Sequence, residues 1–338
     1  MSLILGSDVG GTKTYLGLFR GDGDTLEPIV IERYISTDFP GAAELLTTFV
    51  DHCGQQPDRV VLGVPGPVRH TPVKPVNLPW SIDPEQIART LGMDRVFLLN
   101  DLEATAYGTL ALTEEDVIEI NRGEMDSIGA KAVIAAGTGL GEGGLAWADG
   151  HYVAVPSEGG HASFAPGTQL EAELWRWLFD QHGHVSWERV VSGMGLVNIY
   201  EFLRQRCRDS APDAEPDWLR ERLAEQGAGA HTISSAAKEG GVALAGEALA
   251  LFVSLYGAEA GNLALKMLAT GGLYIGGGIA PQIIDELTTG AFMDAFAEKG
   301  RVSDVLRRIP VHVIKNDQTA LLGAAYFGAH MTQHPYIS

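Results

Sequence analysis

Two glycine-rich turns, each carrying a threonine, follow buried strands in separate halves of the chain. The first is DVGGTKT, residues 8–14, after the apolar run SLILGS, and the second is AAGTGLG, residues 135–141, after KAVI. Each turn leads into further strand-like runs, and alternating helical and extended segments complete each half. The shared order predicts a duplicated α/β layer fold. The second half carries a helical insertion from about Gln169 to Leu268.

Polar residues in the first turn suit a phosphate group. The adjacent glycines at 10–11 let backbone N–H groups face one concavity, which binds oxyanions. Thr12 and Thr14 can add hydroxyl donors, and Lys13 can add a positive charge. Asp8 would repel a bare phosphate, so its presence favours a cation, Mg²⁺, between the carboxylate and the phosphates. The alternative interpretation is that both glycine turns are tight hairpins without a ligand.

Two familiar nucleotide motifs do not apply. The Walker loop requires Gly-Lys-Ser/Thr, but Thr12 separates Gly11 from Lys13. The stretch GLGEGG, residues 139–144, matches the dinucleotide fingerprint, which must open a helix. Here two strand-like runs follow, with a turn at residues 149–150, so the sequence predicts a hairpin and the match is accidental.

The helices of the first half carry clear end signals. The segment DPEQIARTLG, residues 83–92, predicts a helix capped by Asp83 and stopped by Gly92. The segment DLEATAYGTLAL, residues 101–112, predicts a helix directly after the strand RVFLLN, with Asp101 as its cap. A carboxylate at this place could also accept a hydroxyl proton during phosphoryl transfer. On the residues alone, a helix cap without a catalytic role is the simpler interpretation of Asp101.

Two further segments carry candidate binding residues. SEGGHASF places Glu158 and His161 in a loop whose glycines disfavour a helical metal pair, and an acid with an imidazole suits the vicinal hydroxyls of a polyol. An ordinary surface loop is the alternative. The run GGGIAP, residues 276–281, joins a strand to a helix, and its glycines would let a flat adenine approach the backbone. A tight strand–helix turn is the alternative.

Charge and composition limit the partners. The formal net charge of −19 argues against nucleic acid or an anionic membrane surface as a partner, although a nucleotide needs only a local anion site. The two cysteines, Cys53 and Cys207, predict no disulfide framework and fit a reducing compartment. The N-terminus has no basic region of the kind found in signal peptides. The longest apolar run, residues 246–268, contains charged residues and predicts a buried helix rather than a membrane span.

These motifs together resemble bacterial-type glucokinases, in the hexokinase branch of the actin-like, ribonuclease H-like ATPases. The resemblance runs from the first turn to the final helix. Besides the two turns, its motifs are LLNDLEATAYG, PSEGGHASFAP, GHVSWERVVSGMGLVNIY, GNLAL and GGGIAP. Lys13 departs from the Asn expected in many such enzymes. The form GGTKT is more typical of a sister group of sugar kinases and repressors with a cysteine-rich zinc site, and this chain has no such cysteine cluster.

The resemblance implies two ribonuclease H-like (actin-like ATPase) α/β lobes around a cleft, residues 1–111 plus 318–338 and residues 112–317. It implies phosphorylation of glucose at the 6-hydroxyl by ATP with Mg²⁺ at Asp8, and Asp101 as the base. The implied nucleotide-binding residues are Ser7, Asp8, Val9, Gly10, Gly11, Thr12, Lys13, Gly137, Thr138, Gly139, Gly277 and Gly278. The implied sugar-binding residues are Asn77, Asn100, Asp101, Glu158, His161 and Glu188, of which Glu188 rests on the resemblance alone.

The resemblance also implies a cytoplasmic homodimer. Two alternatives stay open at this point. One is a kinase of another hexose or of an acylamino-hexose, and the other is a non-catalytic sugar sensor or regulator. A regulator would usually carry a DNA-binding helix-turn-helix before the first turn, for which the first ten residues leave no room.

Overall fold

The computed structural model describes residues 1–22, 25–75, 77–208, 214–225 and 229–330. The strands are β1 Ser2–Val9, β2 Lys13–Asp22, β3 Thr25–Ile35, β4 Arg59–Val64, β5 Val96–Asn100, β6 Val117–Asn121, β7 Lys131–Ala136, β8 Leu140–Ala148, β9 His151–Ser157, β10 Leu273–Gly276 and β11 Val311–Ile314. The helices are α1 Ala42–Cys53, α2 Pro84–Leu91, α3 Asp101–Gly108, α4 Gln169–His182, α5 Gly193–Cys207, α6 Asp217–Leu223, α7 Gly229–Lys238, α8 Ala243–Met267, α9 Ile284–Leu287, α10 Ala291–Ala297, α11 Ser303–Arg307 and α12 Thr319–His330.

The chain divides into two compact units. The first contains Met1–Val117, Gly144–Pro156 and the residues from Asn316 onward, and the second contains Ile118–Gly143 and Ser157–Lys315. The predicted boundaries, residues 1–111 plus 318–338, differ from this division chiefly at residues 144–156, the outer part of the β8–β9 hairpin. This segment belongs with the first unit because the Ala154 amide donates a hydrogen bond to the Tyr107 hydroxyl at 3.1 Å. Residues 331–338 lie outside the described chain.

The first unit is built on a five-stranded sheet in the order β3-β2-β1-β4-β5. Strand β1 runs antiparallel to β2 and parallel to β4. Successive side chains of β1 point to opposite faces, so Leu5 joins the core beneath α1 and α2, while Ile4 packs with Leu321 and Ala325 of α12. Helices therefore cover both faces, which explains why residues 3–6 of β1 carry no polar side chain.

Helix α2 confirms both of its predicted end signals. The Asp83 carboxylate accepts hydrogen bonds from the backbone amides of Glu85 and Gln86, at 3.0 and 3.3 Å. Gly92 ends the helix in the left-handed region with φ of 66°, where glycine carries no Cβ penalty.

Helix α3 differs from its prediction at both ends. Asn100, not Asp101, is the cap, because its Oδ1 accepts the Leu102 amide at 2.9 Å while the Glu103 carboxylate accepts the Asn100 amide at 2.9 Å. This reciprocal pair satisfies two amides that the helix itself cannot. Asp101 becomes the first helical residue, and the helix ends at Gly108 rather than continuing to residue 112.

The second unit carries a six-stranded sheet in the order β6-β11-β10-β7-β8-β9. Apart from β6, which the sequence did not predict, this order repeats that of the first sheet, with β7 in the place of β1. The repeat confirms the duplicated α/β fold. GLGEGG lies within and just before β8, and the chain turns at Asp149 and Gly150 with φ of 51° and 85°, so the hairpin prediction is also confirmed.

Helices α4–α8 form the predicted insertion between β9 and β10. Among the described residues, α8 is the one helix long and apolar enough to cross a membrane, and 67% of its most apolar stretch is buried. Phe252 and Tyr256 are fully buried on it, and α8 packs within the main core cluster of the unit. The prediction of an interior helix is confirmed.

Glycines let α3 and α12 approach closely in the first unit. A Cβ at Gly323 would clash with the Ala104 carbonyl oxygen, and a Cβ at Gly108 would clash with the carbonyl oxygen of Thr319. Both obstacles are backbone atoms, which cannot rotate away. The helix contact therefore fixes the position of α3, whose first residue is Asp101.

We expect Gly323→Ala to lower the free energy of unfolding by about 1–3 kcal/mol or more, because an extra methyl group forces the two helices apart. Gly246→Ala is a matched control, since no atom of the described chain lies within 4 Å of a Cβ at that helical position. This control should stabilise the protein by about 0.5–1 kcal/mol. Urea unfolding of both variants measures the difference, and equal effects would contradict the close-contact explanation.

Candidate active site

Ser36 holds the first glycine turn in place. Its hydroxyl donates to the Gly10 carbonyl at 2.7 Å, and its amide donates to the Thr12 carbonyl at 3.0 Å. Thr14 is fully buried with its hydroxyl 3.0 Å from the Ser36 hydroxyl, so the predicted donor role of Thr14 toward a phosphate is wrong. Sequence reasoning missed Ser36, since 26 residues separate it from Gly10.

The turn keeps free donors. The Gly10 amide bonds to the Lys13 carbonyl at 3.0 Å, whereas the Gly11 and Thr12 amides have no hydrogen-bond partner within the described chain. Two neighbouring unpaired N–H groups form the kind of concavity that accepts an anion. The side chains of Ser7 and Val9 are buried at 0% and 4% exposure. Of the residues predicted to bind nucleotide, these two can therefore contribute only through the backbone.

Lys13 is anchored by two residues, and neither contact was predictable from the sequence. Its ammonium lies 3.4 Å from both the Asp317 carboxylate and the Tyr15 hydroxyl, and Tyr15 donates to Asp317 at 2.7 Å. The Tyr15 hydrogen bond, followed by the charge of Lys13, holds the pKa of Asp317 below its usual range. The ammonium is thus kept beside the turn by a carboxylate 304 residues away.

Asp8 and Asp101 concentrate negative charge at one edge of the first sheet. Burial, and next the Asp101 carboxylate, raise the pKa of Asp8 to about 6, and Lys13 partly opposes the shift. The parallel register explains the proximity, because Asp8 pairs with Gly63 of β4, and Gly63 pairs with Leu99 of β5 just before α3. A buried carboxylate with a second one nearby suits a divalent cation, so these residues fit the Mg²⁺ ion that the sequence suggested.

Asn100 and Asp101 are held rigidly at the start of α3. The Asn100 side-chain amide donates to the Gly66 carbonyl at 3.1 Å, in addition to its capping bond. The backbone carbonyl of Asp101 accepts the Thr105 hydroxyl at 2.8 Å, and its carboxylate accepts the Leu102 amide at 3.0 Å. A carboxylate accepts several hydrogen bonds at once, so the geometry leaves Asp101 able to take a substrate hydroxyl.

The structure brings Asn77 to the first turn. A Cβ at Gly11 would lie only 2.9 Å from the Asn77 Cβ, so glycine is required for this loop to pack against the turn. The loop is fixed by a bridge between Val73 and Ile82, and by Trp80, whose indole donates to the Phe39 carbonyl at 3.0 Å. The Asn77 side chain is exposed beside this turn.

The second unit presents the other glycine turn at the end of β7. The Gly137 amide donates to the Gly139 carbonyl at 2.9 Å, and the Gly193 amide at the start of α5 donates to the Gly137 carbonyl at 2.8 Å. Gly277, with φ of 82°, packs against the carbonyl of Ala136 so closely that any side chain would clash. The structure thus joins residues 137–139 and 277–278, which the sequence separates widely.

Two glycines here are not required by any contact among the described residues. No described atom lies within 4 Å of a Cβ at Gly137 or Gly278, and neither glycine has the positive φ that favours glycine. Thr138 between the turn glycines is exposed. Open, side-chain-free backbone is what close approach of a flat or charged ligand requires. Tyr256 supports this edge from below, since its buried hydroxyl accepts the Ala136 amide at 3.2 Å.

Glu188 connects the second turn with the loop that carries Glu158 and His161. Its Oε2 accepts the Leu140 amide at 3.0 Å, and its Oε1 lies 3.9 Å from Nδ1 of His161. Glu158 directly precedes the one-turn 3-10 helix Gly159–His161, and its side chain is exposed. The half-buried Glu188 is therefore part of the same cluster, although its sequence context suggested only a solvated helix residue.

Comparison with known proteins identifies the family. The sequence model described as Glucokinase matches residues 5–331. The glucokinase of Nostoc sp. is 41% identical, with 98% of this chain and 100% of the relative covered, and that of Synechocystis sp. is 39% identical, with 96% and 97% covered.

Solved structures show the same fold. The glucokinase from an Antarctic psychrotroph superposes with a TM-score of 0.86 at 28% identity, covering 97% of this chain and 99% of that one. A ROK family glucokinase from Streptomyces griseus, in complex with glucose and AMPPNP, has a TM-score of 0.61 at 21% identity, with 96% and 99% covered. The architecture is the actin-like two-lobe ATPase fold, and the chain belongs to the glucokinase family.

Proposed function

We propose that this protein phosphorylates glucose at the 6-hydroxyl, using ATP as the phosphoryl donor. The observation that carries the proposal is the sheet edge of the first unit, where Asp101 at the start of α3 lies near Asp8 and a turn with two unpaired amides. A base, a cation ligand and an anion site at one edge suit phosphoryl transfer to a hydroxyl group. The relatives named glucokinase support the same reaction.

Asp101 acts as the general base in this proposal. The 6-hydroxyl of glucose donates its hydrogen bond to the carboxylate, which takes the proton as the hydroxyl oxygen bonds to the γ-phosphorus. The bond from that phosphorus to the bridging oxygen of ADP breaks in line. Asn100 carries the capping role, and the Asp101 carboxylate can accept a substrate hydroxyl in addition to the Leu102 amide that it already bonds.

The remaining sugar contacts are proposed separately for each unit. In the first unit, Asn77 and Asn100 supply amide donors and acceptors. In the second, Glu158 and His161 lie on the loop after β9 with Glu188 beside them, and carboxylates with an imidazole can bond several hydroxyl groups. Exclusion of water from the bound sugar would prevent wasteful hydrolysis of ATP.

The nucleotide contacts follow from the unpaired amides and the open glycines. Gly11 and Thr12 would bond phosphate oxygens through their amides, with Lys13 beside them. In the second unit, Gly137, Gly277 and Gly278 offer side-chain-free backbone for phosphate and adenosine, and Thr138 adds an exposed hydroxyl. Asp8 would hold Mg²⁺, which offsets the negative charge on the transferred phosphoryl group.

Two finer features belong to the same proposal. The family resemblance supports a cytoplasmic location and a homodimer. Light scattering on the purified protein would test the homodimer. A coupled assay with ATP, Mg²⁺ and a panel of hexoses and acylamino-hexoses tests the substrate. Glucose should give the highest kcat/KM, and turnover of no sugar at all would favour a sensor.

We expect Asp101→Asn to lower kcat by at least about a hundredfold, because the amide cannot accept the proton. The fold should survive, since the Asn100 cap stays intact. Glu103→Gln is the matched control: it perturbs the same capping box without touching substrate, and its kcat should stay within about tenfold of wild type. Steady-state kinetics beside melting curves measure both. An Asp101→Asn enzyme within tenfold of wild type would remove Asp101 as the base.

Glu158→Gln and His161→Ala should each weaken glucose binding by about ten- to a hundredfold, since a hydrogen bond to a charged group contributes roughly 1.5–3 kcal/mol. Calorimetric titration with glucose measures the affinity. Glu173→Gln, an exposed residue of α4 paired with Arg206, is the control and should bind normally. Wild-type affinity in both loop variants would show that this loop does not bind the sugar.

Lys13→Asn should raise the KM for ATP by less than about tenfold, or 1.4 kcal/mol, and leave the KM for glucose unchanged. Asp317→Asn separates the two roles of the lysine, because it breaks the same ion pair but keeps the ammonium. If the ammonium contacts phosphate, Lys13→Asn should raise the KM for ATP more than Asp317→Asn does. A loss of kcat at constant KM would place the lysine in the chemical step instead.

A further inference from the structure

Glu142 is a buried carboxyl group that the proposed reaction does not use. It lies on β8 and is 1% exposed, with no hydrogen-bond donor for either oxygen among the N–H and O–H groups of the described residues. The group that faces it is the carboxyl of Glu259 on α8. A buried acid without a donor is costly unless it is protonated.

Glu259 has the hydrogen-bond donors that favour the ionised member of this pair. It is fully buried, and its oxygens accept the Asn262 amide at 2.8 Å and the Lys266 ammonium at 3.3 Å. The other cation near it is Lys299, whose ammonium donates to the Ala258 carbonyl at 2.9 Å. With these donors on Glu259 and none on Glu142, the proton that the two carboxyls share belongs on Glu142.

Two buried carboxylates in contact cannot both be ionised at neutral pH. Burial, and next the facing Glu259, raise the pKa of Glu142 to about 8, which Lys266 only partly opposes. The pair therefore keeps one proton at pH 7, in a hydrogen bond from Glu142 to Glu259.

The Glu142 carboxyl lies directly beneath the loop of Glu158 and His161. A Cβ at Gly159 would clash with Oε2 of Glu142, and a Cβ at Gly160 would clash with the Leu140 carbonyl oxygen. The backbone of the loop therefore rests on β8 at two successive glycines. A change in the charge or position of this carboxyl would therefore displace the Gly159 backbone that rests on it.

We propose that Glu142 is a positioning residue, whose protonated carboxyl, bonded to Glu259, supports the Gly159 backbone and so holds Glu158 and His161 in place for the sugar. The inference rests on the proposed function of this loop. Loss of the proton places a second charge in a buried site, and the nearest structure able to move and admit water is the short 3-10 turn above it. The ionised enzyme then binds glucose poorly, while the chemical step in the bound complex is unaffected.

The pH dependence of the wild-type enzyme tests this without any substitution. Because the pKa of Glu142 is raised toward this range, fewer molecules keep the proton at pH 9 than at pH 7, so the KM for glucose should rise severalfold between these pH values. The kcat at saturating glucose should change little. A KM for glucose that is constant from pH 7 to 9 would overturn the proposal.

Glu142→Gln is the decisive variant, because its amide donates to Glu259 as the protonated acid does but cannot ionise. Its KM for glucose should stay level from pH 7 to 9, whereas Glu142→Ala should have a raised KM at every pH. Glu171→Gln is the matched control, since Glu171 is also buried in this unit but bonds the Gly167 amide. This control should keep the alkaline rise of the wild type. A Glu142→Gln chain that failed to fold, or kept the rise, would contradict the assignment.

Thermal unfolding without sugar separates this inference from the proposed function. The pKa of Glu142 is raised on folding, so its contribution to stability is complete below its ordinary value of 4.5 and is lost as pH rises toward 8. The wild-type Tm should therefore fall over this window more than that of Glu142→Gln. Parallel Tm curves would overturn the shared proton whatever the activity. Absence of glucose phosphorylation in the wild type, with diverging Tm curves, would instead contradict the proposed function.

Discussion

The candidate site of the first unit depends on the parallel pairing of β1, β4 and β5. It brings the end of β1 and the start of α3 to one edge, because Asp8, Gly63 and Leu99 are in register across three strands. The turn after β1 and the helix after β5 then meet there without any long side chain to reach across. Parallel strands place their carboxyl ends together, which is why α/β folds concentrate ligand sites at that edge. The close crossing of α3 and α12 at Gly108 and Gly323 keeps the edge rigid.

The second unit follows the same plan but supports its ligand edge with buried polar groups. Tyr256 bonds the Ala136 amide under the glycine turn, and Glu142 with Glu259 lies under the loop that carries Glu158 and His161. Buried polar groups stabilise a fold only when their partners are complete. Here they lie beneath backbone that must keep its shape while leaving its upper surface free for a ligand. An apolar side chain could fill the space, but it could not orient an amide or hold a proton.

Much of the site was predictable because its residues are adjacent in sequence. The two glycine turns, the Asp83 cap and the rejection of the dinucleotide fingerprint all depend on local backbone preferences, and the structure agrees with each. The division of roles between Asn100 and Asp101 was not predictable, since either side chain can cap a helix. The Gly66 carbonyl accepts the side-chain amide of Asn100 and so orients this side chain for capping. The role of Thr14 was also not predictable. Its position in β2 shows that its side chain lies on one face of the strand, but not that the Ser36 hydroxyl occupies that face.

Apart from β6, the sequence by itself determined the order of the strands, together with the glycine turns and, through its motifs, the glucokinase family. These depend on periodicity, on φ preferences and on short-range hydrogen bonds, which a chain carries wherever it folds. Only the tertiary structure decided that Ser36 braces the first turn, that Asp317 holds Lys13, and that Glu142 meets Glu259 beneath Gly159. Each of these contacts joins residues far apart in the chain, and its energy depends on burial and distance. Neither quantity exists until the sheets and helices have packed.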